Sequence, residues 1–548
     1  MIILKKNSFV EGTIIATVAI IIIKILGMLY VIPFYATVGI TGGALYAYAY
    51  NIYVIFLDMS TAGIPIAMSK ITSEYNALGM MDAKRRAFKI GKKIISYLSI
   101  GFFIILFIFA RPIAGLLVGS LDGGNTIADV AFVFRAISFA ILIVPRLGVL
   151  RGYLQGHKFI SPPSISQIIE QVVRIIVILL GSYLALNIFS TSVTSAISIA
   201  VFGAFLGAGA SILYIMWRIN KSKKELNLDV VEKKDDVTDK EIRKKIIKYA
   251  VPFIIVGLHA SVYNFTNMVL ILRMLNFLGF STQNVEFITS AITTYAPKLN
   301  MIVISIAIGM GVNLIPAISA AFNLNNWKEV SAKLNKALQI IIIVALPMTI
   351  LISLLAEPIW TIFYGWNSYG TAVMTLNIFV ALFMSLFLIT VNTLQSLNKF
   401  KIVYLSVILG FALNLILNVP LMLLFDYIGV YAFYGAIVST IIGYSTSIYI
   451  ALRAIKKDHE VSYNDTTKIL GKMILPIIIT VIVVLFIKIM FPYNEYSRVA
   501  AILYTGVVGL IGALVYLVAA YKSNIFSQVF GKELINKLIK KLAFWQAS

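Results

Sequence analysis

Five cations interrupt apolar runs that otherwise hold little charge: Lys24, Arg135, Arg174, Arg273 and Lys298. The acids inside such runs are fewer: Glu11, Asp58, Asp129 and Glu170. A charge at bilayer depth costs about 2.5–3.5 kcal/mol, so each needs a compensating reason. Lys24 stands in Ile21-Ile22-Ile23-Lys24-Ile25-Leu26-Gly27 with no acid within a helical turn, and Lys298 follows Pro297, again with no local acid. Ammonium groups without a counter-charge suit a phosphate-bearing ligand. The plainer reading is that each lysine snorkels or pairs with a distant acid. Glu170 and Arg174 are spaced i, i+4 with the acid first, the favoured order for a pair that neutralises itself. Gln167 and Gln171 beside them can hydrogen-bond across helices. Arg135 has Asp129 or a distant acid as its partner. Arg273 closes a run bearing His259, Tyr263, Asn264 and Asn267, which reads either as a cavity wall or as helix packing. Asp58 and Glu11 are the candidates for a proton- or sodium-linked site, although Glu11 stands near the interface.

The elements that must position these residues follow from composition. The 548 residues are 60% hydrophobic and 13% charged, which defines a polytopic membrane protein. Spans are expected at 10–33, 44–68, 94–118, 127–150, 164–186, 195–217, 249–272, 287–316, 337–356, 371–395, 402–425, 431–452, 473–491 and 498–521. The first run has no small-residue cleavage site and reads as a retained helix. The run at 287–316 is too long for one straight span, so it tilts, kinks at Pro297 or begins outside the membrane. Alternate loops gather most of the 46 Lys and Arg on one side, the cytoplasmic pattern. That side receives the 70–93 loop, Arg151, Lys158, 218–248, 453–472 and the tail, and both termini. Asp122, Glu286 and Asp426 fall in short outer loops.

The chain also repeats itself. Ala110-Arg111-Pro112-Ile113 with Gly119 recurs as Ala356-Glu357-Pro358-Ile359 with Gly365. Ile64-Pro65 with Ser69 recurs as Ile315-Pro316 with Ser319, and Leu154-Gln155 before Lys158-Phe159 recurs as Leu394-Gln395 before Lys399-Phe400. Three matches in one order, at offsets of 240 to 251 residues, indicate a duplicated unit. Each copy holds six spans, so both insert the same way and are related by a pseudo-two-fold along the membrane normal. The expected organisation is an all-α integral membrane protein of about 14 transmembrane helices: an N-terminal six-helix lobe at 1–217, a cytoplasmic linker at 218–248, a C-terminal lobe at 249–452 and two further helices within 473–521. A cytoplasmic tail at 522–548 carries Leu534, Ile535, Leu538, Ile539 and Leu542 among lysines, an amphipathic pattern suited to the membrane face. Spans one and eight belong to opposite copies, so Lys24 and Lys298 are expected to face a shared cleft.

Several function classes drop out. The absence of cysteine removes disulfides, thiolate metal sites and thiol nucleophiles. The net charge of +23 follows from loop topology rather than from nucleic-acid binding. No Walker loop, GxSxG or HExxH is present, and no metal or cofactor is expected. Gly203 and Gly207 form a GxxxG, a packing signal.

Arg151-Gly152-Tyr153-Leu154-Gln155-Gly156, followed by Ser166-Gln167-Ile168-Ile169-Glu170-Gln171-Val172-Val173-Arg174, resembles the signature of stage V sporulation protein B-like polysaccharide biosynthesis proteins. These are relatives of the lipid II flippase MurJ within the multidrug/oligosaccharidyl-lipid/polysaccharide (MOP) exporter superfamily. The resemblance implies two six-helix lobes in a V, with an additional helix pair forming a lipid groove. It implies alternating-access transport of an undecaprenyl-diphosphate-linked sugar, lipid II or a polysaccharide precursor, across a bacterial cell membrane by a monomer. Lys24 before Leu26-Gly27, and Lys298-Leu299, are similar to family positions that carry essential arginines. Other family cations are replaced here by Tyr30 and by the neighbourhood of Asp58, and a family acid by Met301; Arg135, Arg174 or Arg273 would supply the missing charge. Glu170, Asp58 and Glu11 remain for ion coupling to H⁺ or Na⁺, and the buried cations imply sensitivity to membrane potential. The alternatives are a drug/cation antiporter of the same superfamily, which wants acids in its cavity, and a membrane glycosyltransferase or polymerase, which the short outer loops disfavour.

Overall fold

Runs of Ile, Leu, Val, Phe and Ala leave backbone polar groups no partner in a bilayer but one another, and every regular element among the described residues is a helix. The computed structural model describes residues 9–61, 63–119, 124–222, 226, 235–459, 461–494 and 497–531, among which no strand occurs. α1 (Phe9–Leu29) and α2 (Val31–Thr61) meet at Tyr30. The short α3 (Ile64–Ala77) leads to α4 (Met81–Ile108), α5 (Ala110–Val118) and α6 (Ile127–Gly156). α7 (Ser161–Ile176) runs on through π-helical turns at Val177–Gly181 and Leu184–Ile188, and α8 (Val193–Lys221) follows. α9 (Asp239–Phe277) precedes α10 (Thr282–Ser290), a π-turn at Ala291–Tyr295 and α11 (Ala296–Asn323). Next come α12 (Trp327–Leu354), α13 (Ala356–Tyr364), α14 (Ser368–Ser396), α15 (Phe400–Tyr427) and α16 (Phe433–His459). α17 (Asn464–Met490), α18 (Arg498–Lys522) and α19 (Ile525–Phe530) complete the order.

Among the described residues, thirteen helical stretches are long and apolar enough to cross a membrane. The expected first span is α1, whose apolar described part, Val18–Leu29, is shorter than that. The second begins at Val31, not 44, because the helix continues through a bend at Gly39, where φ is +66°. The span expected at 287–316 starts at Thr282, and the π-turn directly before Pro297 lets the helix continue past a residue without an N–H. This earlier start takes Glu286 out of its expected outer loop and into α10, where it is 2% exposed. Asp122 and the amphipathic pattern at 534–542 lie outside the described residues. The loop expected at 70–93 is mostly the helices α3 and α4.

Contacts divide the chain into two compact units, Met1–Lys298 with Asn418–Ile428, and Leu299–Leu417 with Gly429–Ser548. In the first, α6 packs against α2, α3, α4, α5 and α8, and α7 packs on α1 and α8. The described parts of 218–248 are built into this unit. Arg218 to Lys221 end α8, and α9 opens at Asp239 behind a Thr238–Glu241 capping box. Asp235 accepts from the Ala83 amide (2.8 Å), Arg86 pairs with Asp82 (2.8 Å) and Asp239 (3.0 Å), and Lys245 pairs with Glu74 (2.6 Å). In the second unit, α14 packs on α12 and α16, and α17 and α18 pack together against α12.

The two copies share local geometry. α5 and α13 are nine residues each, entered through Phe109 and Leu355 with similar angles and ended at Gly119 and Gly365. α6 and α14 end alike: the Lys158 and Asn398 amides donate to Gln155 and Gln395, and the Phe159 and Lys399 amides to Leu154 and Leu394. The positive-φ residue is Lys158 in one and Asn398 in the other. The matching Lys-Phe letters are therefore one residue out of structural register. Pro65 opens a separate helix, α3, whereas Pro316 lies inside the continuous α11.

Candidate functional site

Tyr46, Tyr50 and Tyr53 recur at i, i+4 and i+7 and so share one face of α2. Tyr30 and Tyr35 lie before the kink at Gly39 (φ +66°) and join them across it, with Tyr30 Oη near Tyr46 Oη and Tyr35 beside Lys298. Lys298 enters this aromatic wall directly after the π-turn. Its Nζ donates to Tyr30 Oη at 3.1 Å and stands 5.0, 5.4, 5.3 and 6.0 Å from the ring centres of Tyr30, Tyr35, Tyr46 and Tyr50. Tyr30 and Tyr46 hydroxyls lie 3.2 Å apart. Among the described residues no carboxylate pairs with Lys298. Ring quadrupoles hold the ammonium instead, each contributing about 0.5–2 kcal/mol according to desolvation.

Behind the same tyrosines lies an ionic cluster. Glu170 accepts from Arg174 (2.9 Å), the expected intrahelical pair, and also from Arg151 of α6 (2.9 Å). Arg151 further donates to Ser166 (2.8 Å) and Ser211 (3.0 Å). One acid between two guanidiniums leaves the cluster cationic, so the pair does not neutralise itself. Arg151 was assigned to a cytoplasmic loop from sequence; it lies within α6, which runs on to Gly156. Close approach of α8 makes the cluster possible: a Cβ at Gly207 would stand 2.5 Å from the Glu170 carbonyl, and one at Gly203 3.1 Å from that of Arg174. Arg174 shares a small cavity with Tyr46, Tyr50 and Tyr53. Lys298 and Arg174 thus flank one pair of tyrosines.

The other expected residues are placed differently. Lys24 is exposed on α1, which packs on α7, and Gly27 one turn later lies close to Gln171. Lys24 and Lys298 both fall in the first unit rather than in separate ones. Arg135 is exposed and directs its Nε at the Phe107 carbonyl (3.4 Å), while Asp129 caps α6 and accepts from Thr194 (2.6 Å). Arg273 is exposed and donates to the Leu116 carbonyl (3.0 Å). Asp58 is half-buried beside Ser261 of α9. Glu11 belongs to α1, but its side chain lies outside the described residues. On α9, His259 packs on Tyr263, and Asn267 accepts from Asn418 (2.9 Å). Sequence reasoning missed the tyrosine wall and the buried Glu286, which accepts from the backbone (2.9 Å) and side chain (3.0 Å) of Asn125. The i, i+4, i+7 spacing of Tyr46, Tyr50 and Tyr53 was the available signal for the first.

An all-helical membrane fold with buried cations and aromatic walls has solved counterparts. A structure of lipid II flippase MurJ in an inward closed conformation matches with a TM-score of 0.66 at 17% identity, over 94% of this chain and 99% of that one. An inward-facing multidrug resistance MATE family transporter of the MOP superfamily matches at 0.60 and 14% identity, over 83% and 99%. The fold is that of a MOP-superfamily transporter.

Sequence relatives narrow the class. Residues 9–322 match the family described as polysaccharide biosynthesis protein, and residues 252–419 match MatE. The lipid II flippase MurJ of Bacillus subtilis (strain 168) is 32% identical over 543 residues, covering 96% of this chain and 98% of that one. Stage V sporulation protein B of the same organism is 23% identical over 370 residues, covering 68% and 69%. The chain belongs to the MurJ- and stage V sporulation protein B-like family of polysaccharide-biosynthesis transporters, whose members move molecules rather than catalyse reactions.

Proposed function

We infer that this protein is a flippase that carries an undecaprenyl-diphosphate-linked sugar, lipid II or a polysaccharide precursor, from the inner to the outer leaflet by alternating access. The observation that carries the reading is Lys298, a lysine held by four tyrosines and, among the described residues, by no acid. π-faces stabilise an ammonium without neutralising it, so its charge stays available to an incoming anion. A diphosphate offers charge-assisted hydrogen bonds stronger than those of a phenol. Arg174, fixed through Glu170 and Arg151 beside Tyr46 and Tyr50, adds a second positive centre and a planar donor fork. Lys24 is the further candidate on α1. Arg135 and Arg273, each directed at a backbone carbonyl, serve as supports for helix ends. Glu170 is committed to two arginines, which leaves Asp58 and Glu11 for H⁺ or Na⁺ coupling. Each cation that crosses the field adds about 2.3 kcal/mol per 100 mV.

The six-span lobes at 1–217 and 249–452, the linker at 218–248, the helix pair within 473–521 and the tail at 522–548 serve as the functional division. The lysine-rich loops and both termini face the cytoplasm of a bacterium, and the chain works as a monomer among membrane lipids. A drug/cation antiporter is the second reading, favoured by the MatE match and by Asp58. A cationic drug would meet the positive Lys298–Arg174 wall, which weighs against it.

Complementation tests the reading. Expressed in a bacterium depleted of its own lipid II flippase, the chain is expected to restore growth without forming any new glycosidic product. Normal insertion with no rescue would remove lipid II from its substrates, and a new product would make it an enzyme.

A further inference from the structure

The N-terminal parts of α12 and α17 border an open cavity of about 930 Å³ in the second unit, a size usual for ligand sites. Its walls are two helical stripes. Lys328, Ser331, Asn335, Lys336 and Gln339 follow one face of α12, and Asp465, Lys468 and Lys472 one face of α17. Four lysines face one aspartate. Among the described residues none of the four has an ion-pair partner. Lys328, Lys468 and Lys472 are exposed to the cavity, and Lys336 is half-buried over the Phe530 ring.

The floor is fixed. Asn335 donates to the Ser462 carbonyl (2.9 Å) and accepts from Thr466 (2.6 Å), which locks α12 to α17. Beneath it Ile343, Ile469, Met473 and Tyr516 form a buried apolar cluster. α17 begins at this cavity with its first amide, that of Asn464, donating to Ser462 Oγ (3.3 Å), and the positive end of the helix adds to the lysine charge there. A rigid polar floor with mobile ammonium donors above it is the arrangement that receives a compact, multiply charged anion.

We propose that the α12–α17 cavity binds a phosphate-bearing ligand, either the headgroup of an anionic lipid or a free phosphate compound. The site belongs to the second unit and uses none of the residues of the Lys298 wall. It is therefore an accessory or regulatory site, and it is read apart from the transport site by making each binding measurement in the Lys298→Gln background, where the anion site proposed above is removed.

The purified full chain in neutral detergent is titrated with inorganic pyrophosphate by calorimetry. In parallel it is placed in phosphatidylcholine nanodiscs with or without phosphatidylglycerol, and retained lipid is weighed by native mass spectrometry. The wild-type cavity is expected to bind one or both probes. The Lys468→Gln/Lys472→Gln variant is expected to bind at least about tenfold more weakly, and Lys468→Arg/Lys472→Arg to bind as wild type. Pyrophosphate alone identifies a soluble ligand, phosphatidylglycerol alone a lipid, and competition between them a shared subsite. Lys328→Gln gives an independent readout if the double variant fails to fold. Failure of the wild-type cavity to bind either probe, or wild-type binding by both glutamine variants, overturns the proposal.

Discussion

The two copies keep the same joints but not the same charges. In the first, Ser166 donates to the Pro163 carbonyl (2.6 Å) and Ser211 to the Ser166 carbonyl (2.9 Å). In the second, Ser406 donates to the Val403 carbonyl (2.8 Å) and Ser447 to the Ser406 carbonyl (2.8 Å). This register sets Arg151, Glu170 and Arg174 opposite Val391, Gly410 and Asn414. Asn414 donates to Ser439 and Thr440 at 3.0 and 3.1 Å, a neutral network where the first copy holds an ionic one. Since the neutral version packs a helix pair of the same design, packing alone does not require the charges of the first copy. It is this charged copy that the proposed function assigns to the anionic ligand.

The comparison breaks most sharply at Glu170. Glu170→Gln leaves two guanidiniums facing each other at 13–17% exposure. Removing the acid is expected to destabilise the protein by about 3–5 kcal/mol, read as a fall in the thermal midpoint of the purified protein. A midpoint like that of the wild type would mean that the arginines are paired elsewhere.

A gentler exchange writes the second copy's residue into the first. Arg174→Asn leaves Arg151 paired with Glu170, so folding is expected to persist with a loss of about 1–2 kcal/mol. Transport is expected to fall about tenfold or more, since one charge-assisted contact is worth that much. Equal losses of folding and transport would reduce the cluster to structural glue.

The smallest effect concerns the shared joints. Ser211→Ala and Ser447→Ala each remove the buried bond that joins two helices and should cost about 1 kcal/mol apiece. Ser211→Ala should cost somewhat more, because Ser211 also accepts from Arg151. Thermal midpoints of the two variants give this difference, and a larger loss for Ser447→Ala would contradict the register.

How much of this was legible beforehand depended on whether the signal was local. The Ala-x-Pro-Ile repeat and the Glu170–Arg174 pair are spacings within one chain segment, and each is found where the spacing put it; of the fourteen spans expected, thirteen are long and apolar enough among the described residues. The early starts of α2 at Val31 and of the α10–α11 span at Thr282 were hidden because hydropathy does not register a bend at Gly39 or a π-turn before Pro297. Arg151 was misread for a related reason: a cation near the end of an apolar run looks like the start of a loop until α7 and α8 supply Glu170 and Ser211. The cage around Lys298 needs residues more than 240 positions apart, and no local pattern pairs Tyr30 with Lys298. The steric need for Gly207 also appears only once α8 lies against α7.

The central claim is that Lys298 presents an unneutralised charge to an anionic lipid head. Its direct test is leaflet-to-leaflet movement of a labelled polyprenyl-diphosphate sugar in proteoliposomes, comparing wild type with Lys298→Gln at matched reconstitution. The glutamine is one atom shorter, still donates hydrogen bonds and removes the charge, so flipping is expected to drop about tenfold or more while the protein still folds. Wild-type turnover by Lys298→Gln would contradict the account.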